Sequence, residues 1–440
     1  MIEQLLDRAR RRGASGADAW WRRVERTSVA FEWGRLKAAG VTEEAGANLR
    51  VIQGGRVGVA GSTAAASAPD DLVARALASA ALGETVELAF PSPAPLPPLT
   101  TFVDRAAHAS LDVLIGIGQG LVEALARDGC QVNVTLEREV AETRIANTAG
   151  TDATYRATAV GLSADVWRIS GESDDVLALG DACEGTDLPS AHDTRRVADS
   201  LNRRLDLALK ITEAPAGALP VVFTPAGLSA VLLPLTQALS GKAVLQGISP
   251  LGARVGELVF DRALSLTDDP LVPGRAFSRP VDDEGVPSAA RRLVQGGVVR
   301  EFIYDLETAA RAGTTSTGHG RRGIFTKPTA AYTNLVVEGG DEGDPDLGGG
   351  LLGEITDGLL VDELIGVGQG NVSGGAFSHP VALAYRVCRG EIVGRVKGAA
   401  VAGNSYDLLR RIGGFGRDRR WYGNRSTPSI LLYDVSVARR

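Results

Sequence analysis

Four histidines, three cysteines, one methionine and five lysines stand among 440 residues. The cysteines, Cys130, Cys183 and Cys388, are odd in number, widely spaced and free of any C-x-x-C pair. That argues against a disulfide framework and against a zinc ribbon, and it favours a reducing compartment. Charge of one sign is also missing: Lys+Arg 47 against Asp+Glu 53 leaves a net of −6, which speaks against a nucleic-acid wrapper or a polybasic membrane binder. No apolar run approaches the roughly 18 residues a spanning helix needs. At the N-terminus the arginines Arg10, Arg11 and Arg12 follow the apolar residues Ile2, Leu5, Leu6 and Ala9, the reverse of a signal peptide's order. A cytoplasmic location is the expectation. A chain of 440 residues, 44% hydrophobic, suggests two or three domains with an ample core.

Periodicity divides the chain. A short helix to about Arg12 precedes a run in which Thr27, Val29, Phe31 and Trp33 alternate with Ser28, Ala30 and Glu32, the period of a half-buried strand. Asn48–Gln53 and Arg56–Ala60 flank Gly54-Gly55, a hairpin signal. Ser67 is expected to cap a helix carrying Leu72, Val73, Leu77 and Ala80 and ending at Gly83. Pro91, Pro93, Pro95, Pro97 and Pro98 then impose an extended connector. Beyond it come a helix near Ser110–Arg127, strands over Gln131–Arg138, Glu142–Asn147 and Thr154–Trp167, and an amphipathic helix over Thr194–Lys210. From about Ala214 short strands and glycine turns dominate. The expected class is α+β: an N-terminal α+β domain over residues 1–90, the proline-rich connector 91–108, a central α+β domain 109–213 with an antiparallel sheet, and a β-rich domain 214–440.

Chemistry-bearing motifs are few. Leu114-Ile-Gly-Ile-Gly-Gln-Gly120 and Leu364-Ile-Gly-Val-Gly-Gln-Gly370 nearly repeat, yet neither has the spacing of a dinucleotide or phosphate loop, so chance or glycine-permitted close packing explains them. Acidic residues in Gly339–Gly350 lack the alternating ligands of a calcium loop and suit a solvated loop. His108, His192, His319 and His379 have no helical ligand partner. No G-x-S-x-G occurs, and Cys388 falls on an alternating strand as a small hydrophobe. Ser316-Thr-Gly-His319-Gly-Arg321 suits either ligand contact or a surface turn. Asp282-Asp283-Glu284-Gly285 suits a cation, a substrate amine or an acidic solvated turn.

The ordered set of segments is more specific than any one of them. Gly46-Ala-Asn-Leu-Arg50-Val51 with Gly54-Gly-Arg-Val-Gly58 comes first, and Asn147-Thr-Ala-Gly150 follows. Then come Phe277 through Asp282-Asp-Glu-Gly285, Ser316-Thr-Gly-His319, Asn371 through Gly374 to Phe377-Ser378, and Ala402-Gly-Asn404. The chain resembles, nearly end to end, the TldD/PmbA family and within it the TldE (PmbA) branch. The resemblance implies a heterodimeric zinc metalloprotease in which a TldD subunit carries an H-E-x-x-x-H helix and a distant cysteine ligand. The stretch here that looks like that helix is Gly227 to Leu239, where Pro234 replaces the first histidine, Leu235 the glutamate and Leu239 the second histidine. The cysteine position falls near Tyr422-Gly423-Asn424, without a thiol.

Zinc hydrolysis needs ligands and a base for the metal-bound water, and neither proline nor leucine is either. The resemblance therefore implies a catalytically silent subunit, with no cofactor in this chain and zinc in a TldD-like partner. Unfolded peptide would be the substrate, held by strand addition in a cleft near Asp283, Glu284, Ser316, His319 and Arg321. Nucleic acid and membrane are not expected partners. Two other readings stand beside it: an independent enzyme that tailors peptides or natural products, and a homodimeric peptide-binding protein.

Overall fold

The long alternating stretches after Gly16 form strands far longer than average, paired side by side. A computed structural model describes residues 1–65, 68–169, 175–340, 347–369 and 371–439. They fall into two units, one made of Met1–Leu201, Asp269–Ala290 and Ile303–Thr333, the other of Asn202–Asp268, Arg291–Phe302 and Asn334–Arg440.

In the first unit, β1 (Gly16–Glu32), β2 (Arg35–Gln53), β3 (Arg56–Ser62), β4 (Cys130–Asn147), β5 (Asp152–Ile169) and β6 (Val176–Gly185) make one sheet in the order β3-β2-β1-β4-β5-β6. Its pairings are all antiparallel. Residues before and after the proline-rich stretch thus share one layer. The β2–β3 turn is Gly54-Gly55, with φ of 59° and 74°, the doubly positive turn that suits right-twisted strands.

Because side chains alternate between faces, β1 and β2 divide their residues cleanly. One face presents Ala17, Ala19, Leu49 and Val51, which pack with Ala146 against α1 (Ile2–Arg11) and α2 (Pro69–Leu82). Ile2, Leu5, Leu6 and Ala9 of α1 are buried at helical spacing, each leucine contributing roughly 1.5–3 kcal/mol. α2 lies so close to β3 that a Cβ on Gly58 would sit 2.1 Å from the Ala76 carbonyl oxygen. The opposite face carries Asp18, Trp20, Arg22, Arg26, Asn48 and Arg50 on alternate positions.

Several expectations need correction. The two strands expected over Gln131–Arg138 and Glu142–Asn147 are one strand, since β4 is paired without interruption to both β1 and β5 and this long ladder overrides the polar middle. The expected cap Ser67 lies outside the described residues; Pro69 opens α2, where its missing N–H costs nothing. After the short turn α3 (Asp104–Ala107), α4 (Leu111–Leu125) starts from Ser110, whose hydroxyl accepts from the Val113 N–H. The first glycine repeat is therefore helical, and Gly118 lets Phe31 approach to where a Cβ would be 2.5 Å from its ring. The second leaves a strand through Gly366 and Gly368, both at positive φ, and its last residue, 370, is not described. The two copies share no structure. Within the loop expected over 339–350, residues 341–346 likewise lie outside the described residues. α5 (Ala191–Ala208) buries Val197, Leu201 and Leu205 as its spacing predicts.

The second unit is β-rich. Its larger sheet runs Asp357–Leu364, Gly217–Phe223, Ile430–Arg439, Ala399–Asn404, Ala376–Cys388, Glu391–Val396, Ile211–Thr212, with Ile412–Phe415 added on Ile430–Arg439. Asp357–Leu364 also pairs with Ala376–Cys388, so five strands close into a ring. Val221, Phe223, Leu360, Leu383 and Leu431 on its strands are all buried. A smaller six-stranded sheet joins Ser265–Asp268 and Leu335–Glu338 to the hairpin Arg420–Tyr422, Arg425–Thr427. The fold class is α+β, and no described helix is long and apolar enough to cross a membrane.

Candidate functional site

Two places bear on function, one in each unit. In the second unit, the stretch likened to a metal-binding helix is α6 (Ser229–Ala238). Pro234, Leu235 and Ala238 are buried on it, and Leu239, its C-terminal cap, is wholly buried. Pro234 cannot donate to the preceding turn, yet its carbonyl is used: the Tyr406 hydroxyl donates to it at 3.2 Å. The hairpin whose turn is Gly423-Asn424 reaches this helix, since Arg425 donates to the Ser229 hydroxyl at 2.8 Å. The residues that the resemblance sets against the zinc ligands thus comprise a proline, two leucines and a hairpin without thiol. They do not fit zinc: the side chains of Pro234, Leu235 and Leu239 carry no donor atom, the hairpin offers no thiolate, and α6 has no ionisable side chain. Among the described residues no three His, Cys, Asp or Glu side chains converge as a metal site.

Nearby in the ring, Asp362 is buried and accepts from Arg204 at 2.8 Å and from Thr224 at 2.7 Å. Burial alone would raise its pKa, but the charges of Arg204 and Arg420 hold it below the usual range.

In the first unit, the polar face of β1 and β2 supports a buried charge network. Asp18 accepts from Arg50 at 3.1 and 2.7 Å and from Arg322 at 3.2 and 2.9 Å. Arg50 turns its remaining nitrogen to Glu284 at 2.6 Å, and the other Glu284 oxygen accepts from the Leu306 N–H at 2.7 Å. Asp282 accepts from the N–H groups of Glu284, Val286 and Gly320, closing a tight turn with Gly285 at φ 87°. Asp283 accepts from the Trp20 indole at 3.2 Å and the Arg322 N–H at 3.0 Å. Gly320 is required here, because a Cβ would stand 2.5 Å from the locked Glu284 side chain.

The solvated turn expected at 282–284 is therefore absent: Asp282 and Glu284 are fully buried and Asp283 is 3% exposed. For Asp18, burial pushes the pKa up, yet Arg322 and Arg50 outweigh it and hold the carboxyl low. For Glu284, burial wins over Arg50, with Asp282 adding repulsion, and the pKa rises to about 7. Burial likewise raises that of Asp282.

Over the same sheet face lies a cavity of about 480 Å³, within the range of small-ligand sites. Trp20, Arg22, Arg26, Glu139 and Tyr155 line it from the strands, and Phe277, Arg279, Asp283 and Arg321 from the later segments. Of the expected cleft residues, Asp283 and Arg321 line this cavity and Glu284, Ser316 and His319 do not. Glu284 belongs to the network. His319 is 1% exposed, with Nδ1 at 2.9 Å from the Thr317 hydroxyl. Ser316 is half-buried and donates to the Tyr304 carbonyl. Trp20 and Tyr155 escape sequence reasoning, because only the register of β1, β4 and β5 brings them to one face; Arg279 comes from a separate segment outside the sheet, and its one local signal is that it stands three positions before Asp282.

Comparison with known proteins follows the same lines. Residues 216–439 match the model of the PmbA/TldA metallopeptidase C-terminal domain, and residues 17–80 match that family's domain 1. The metalloprotease TldD homolog of Haemophilus influenzae is 30% identical over 46% of this chain and 42% of its own. The metalloprotease PmbA homolog of the same organism is 28% identical over 50% of this chain and 46% of its own. The chain therefore aligns with just under half the length of these curated relatives. The crystal structure of TldE from Thermococcus kodakarensis superposes with a TM-score of 0.88, covering 99% of both chains at 23% identity, a likeness of fold. With its C-terminal half and part of its N-terminal domain matched by the family's own models, the chain belongs to the PmbA/TldD metallopeptidase family.

Proposed function

We propose that this chain is the catalytically silent, TldE-like subunit of a cytoplasmic metalloprotease and that a zinc-bearing TldD-like chain supplies the chemistry. The observation that carries the reading is α6. Its positions likened to the H-E-x-x-x-H motif hold Pro234, Leu235 and Leu239, buried in apolar packing, so the helix contributes neither a metal ligand nor a proton acceptor. The whole-chain likeness to TldE supports the branch.

A role in holding unfolded peptide has separate support. β2 pairs with β3 only over Ala47–Gln53, while β1 covers its other side along Arg35–Ile52. Among the described residues, the outer edge of residues 35–45 carries no strand, and all but Ala45 are exposed. An open edge of that length offers backbone hydrogen bonds to an added strand, and Lys37, Glu43 and Glu44 keep it from pairing indiscriminately. The test is expression of this chain alone and together with the TldD-like protein of the same genome, followed by peptide cleavage assays on both preparations. Cleavage only by the pair supports the proposal. Cleavage by this chain alone, abolished by changing His319 or Cys388, would establish the independent-enzyme reading instead.

A further inference from the structure

We propose that the cavity over the polar face of β1, β4 and β5 is a binding site for a carboxylate, with Arg279 and Arg321 as its anion-recognising residues. The inference concerns this chain alone and does not depend on a protease partner.

Arg279 is the reason. It is 3% exposed, it lines the cavity, and none of its three guanidinium nitrogens has a hydrogen-bond partner among the described residues. Its nearest countercharge is an Asp283 oxygen at 3.8 Å, beyond hydrogen-bond reach. The same oxygen is also 3.8 Å from Arg321, so two guanidinium groups share one carboxylate that neither bonds. That carboxylate is already engaged by Trp20 and the Arg322 backbone. A buried guanidinium with no acceptor is costly, and an acceptor entering from the cavity relieves the cost.

The surplus of positive charge is small, which selects the ligand. Arg322 is committed to Asp18, the charges of Arg22 and Arg26 are matched by Glu139 and Glu137, and Asp283 offsets one of the two remaining arginines. One uncompensated charge matches a monoanion; a dianionic phosphate would face Glu137, Glu139, Glu184 and Asp283 with too little countercharge. Arginine's planar fork suits the two oxygens of a carboxylate, and Trp20, Tyr155 and Phe277 give walls for an apolar remainder. The carboxylate belongs either to a peptide C-terminus or to a small organic acid.

Calorimetric titration of the purified full chain distinguishes these. An acetylated dipeptide with a free C-terminus, the same dipeptide as its amide, succinate and inorganic phosphate are the four probes. The proposal expects a carboxylate probe to bind, the amide not to, and Arg279→Met and Arg321→Gln each to weaken binding on the order of ten- to a hundredfold, the scale of a lost charge-assisted contact. Tighter binding of the dipeptide assigns a peptide terminus; tighter binding of succinate assigns a free acid. No binding by any carboxylate, equal binding of the amide, phosphate as the tightest ligand, or unchanged affinity in the variants would overturn it. Arg321 is exposed, so its variant keeps the test alive if Arg279→Met fails to fold.

Discussion

Arg50 is the residue on which the first unit's charge network turns: fully buried, it joins Asp18 on the neighbouring strand to Glu284, far along the chain. Truncating it leaves two buried carboxylates with reduced compensation, so Arg50→Ala is expected to cost about 3–5 kcal/mol, measured by urea unfolding. Glu284 gives the network a pH signature. Its pKa rises on folding from 4.5 to about 7, so between those values the folded chain holds a proton that the unfolded chain has released. Stability from this group is then present below 4.5 and lost as pH rises through 7. Asp282, also raised, acts in the same sense. Asp18, held below its ordinary 3.8, acts oppositely and only in stronger acid. The melting temperature of the wild type is expected to fall between pH 5 and 7.5, with a shallower fall in Glu284→Gln; parallel profiles would remove Glu284 as the cause. Asp283 and Glu284 stand out in the sequence as an acidic run beside a glycine, but their burial does not. Their partners Asp18, Arg50 and Arg322 lie on other segments, and no local pattern announces a contact made across more than two hundred residues.

At the scale of elements, α6 is a packing helix. Leu235 is fully buried, and Leu235→Ala is expected to destabilise the second unit by about 2–5 kcal/mol through a cavity. If α6 takes no part in chemistry, peptide cleavage per folded complex with the TldD-like partner stays at the wild-type rate; a selective loss of turnover in the folded variant would show that the helix does more. Elements were legible where a local rule acts alone. α1 follows from its apolar spacing and the β2–β3 hairpin from Gly54-Gly55. The outer part of β2 was not, because Leu36 to Ala45 has no alternation and is a strand only through its ladder with β1. β4 was split for the same reason, its middle held by neighbours on both sides.

At the scale of the whole molecule, composition and segment order pointed to the family, and the family models and the fold agree. The shortage of histidine and cysteine takes its meaning from place: the positions likened to metal ligands are filled by residues packed as core. On the proposed reading, a chain so built depends on another for hydrolysis. The cavity stayed hidden from sequence because its walls come from six separate stretches whose common face only the sheet's register defines. The most direct measurement of the central claim is metal analysis of two preparations, this chain purified alone and this chain co-purified with the TldD-like protein. The account predicts no stoichiometric zinc in the first and about one zinc per heterodimer in the second. Stoichiometric, tightly held zinc in the chain alone would contradict it.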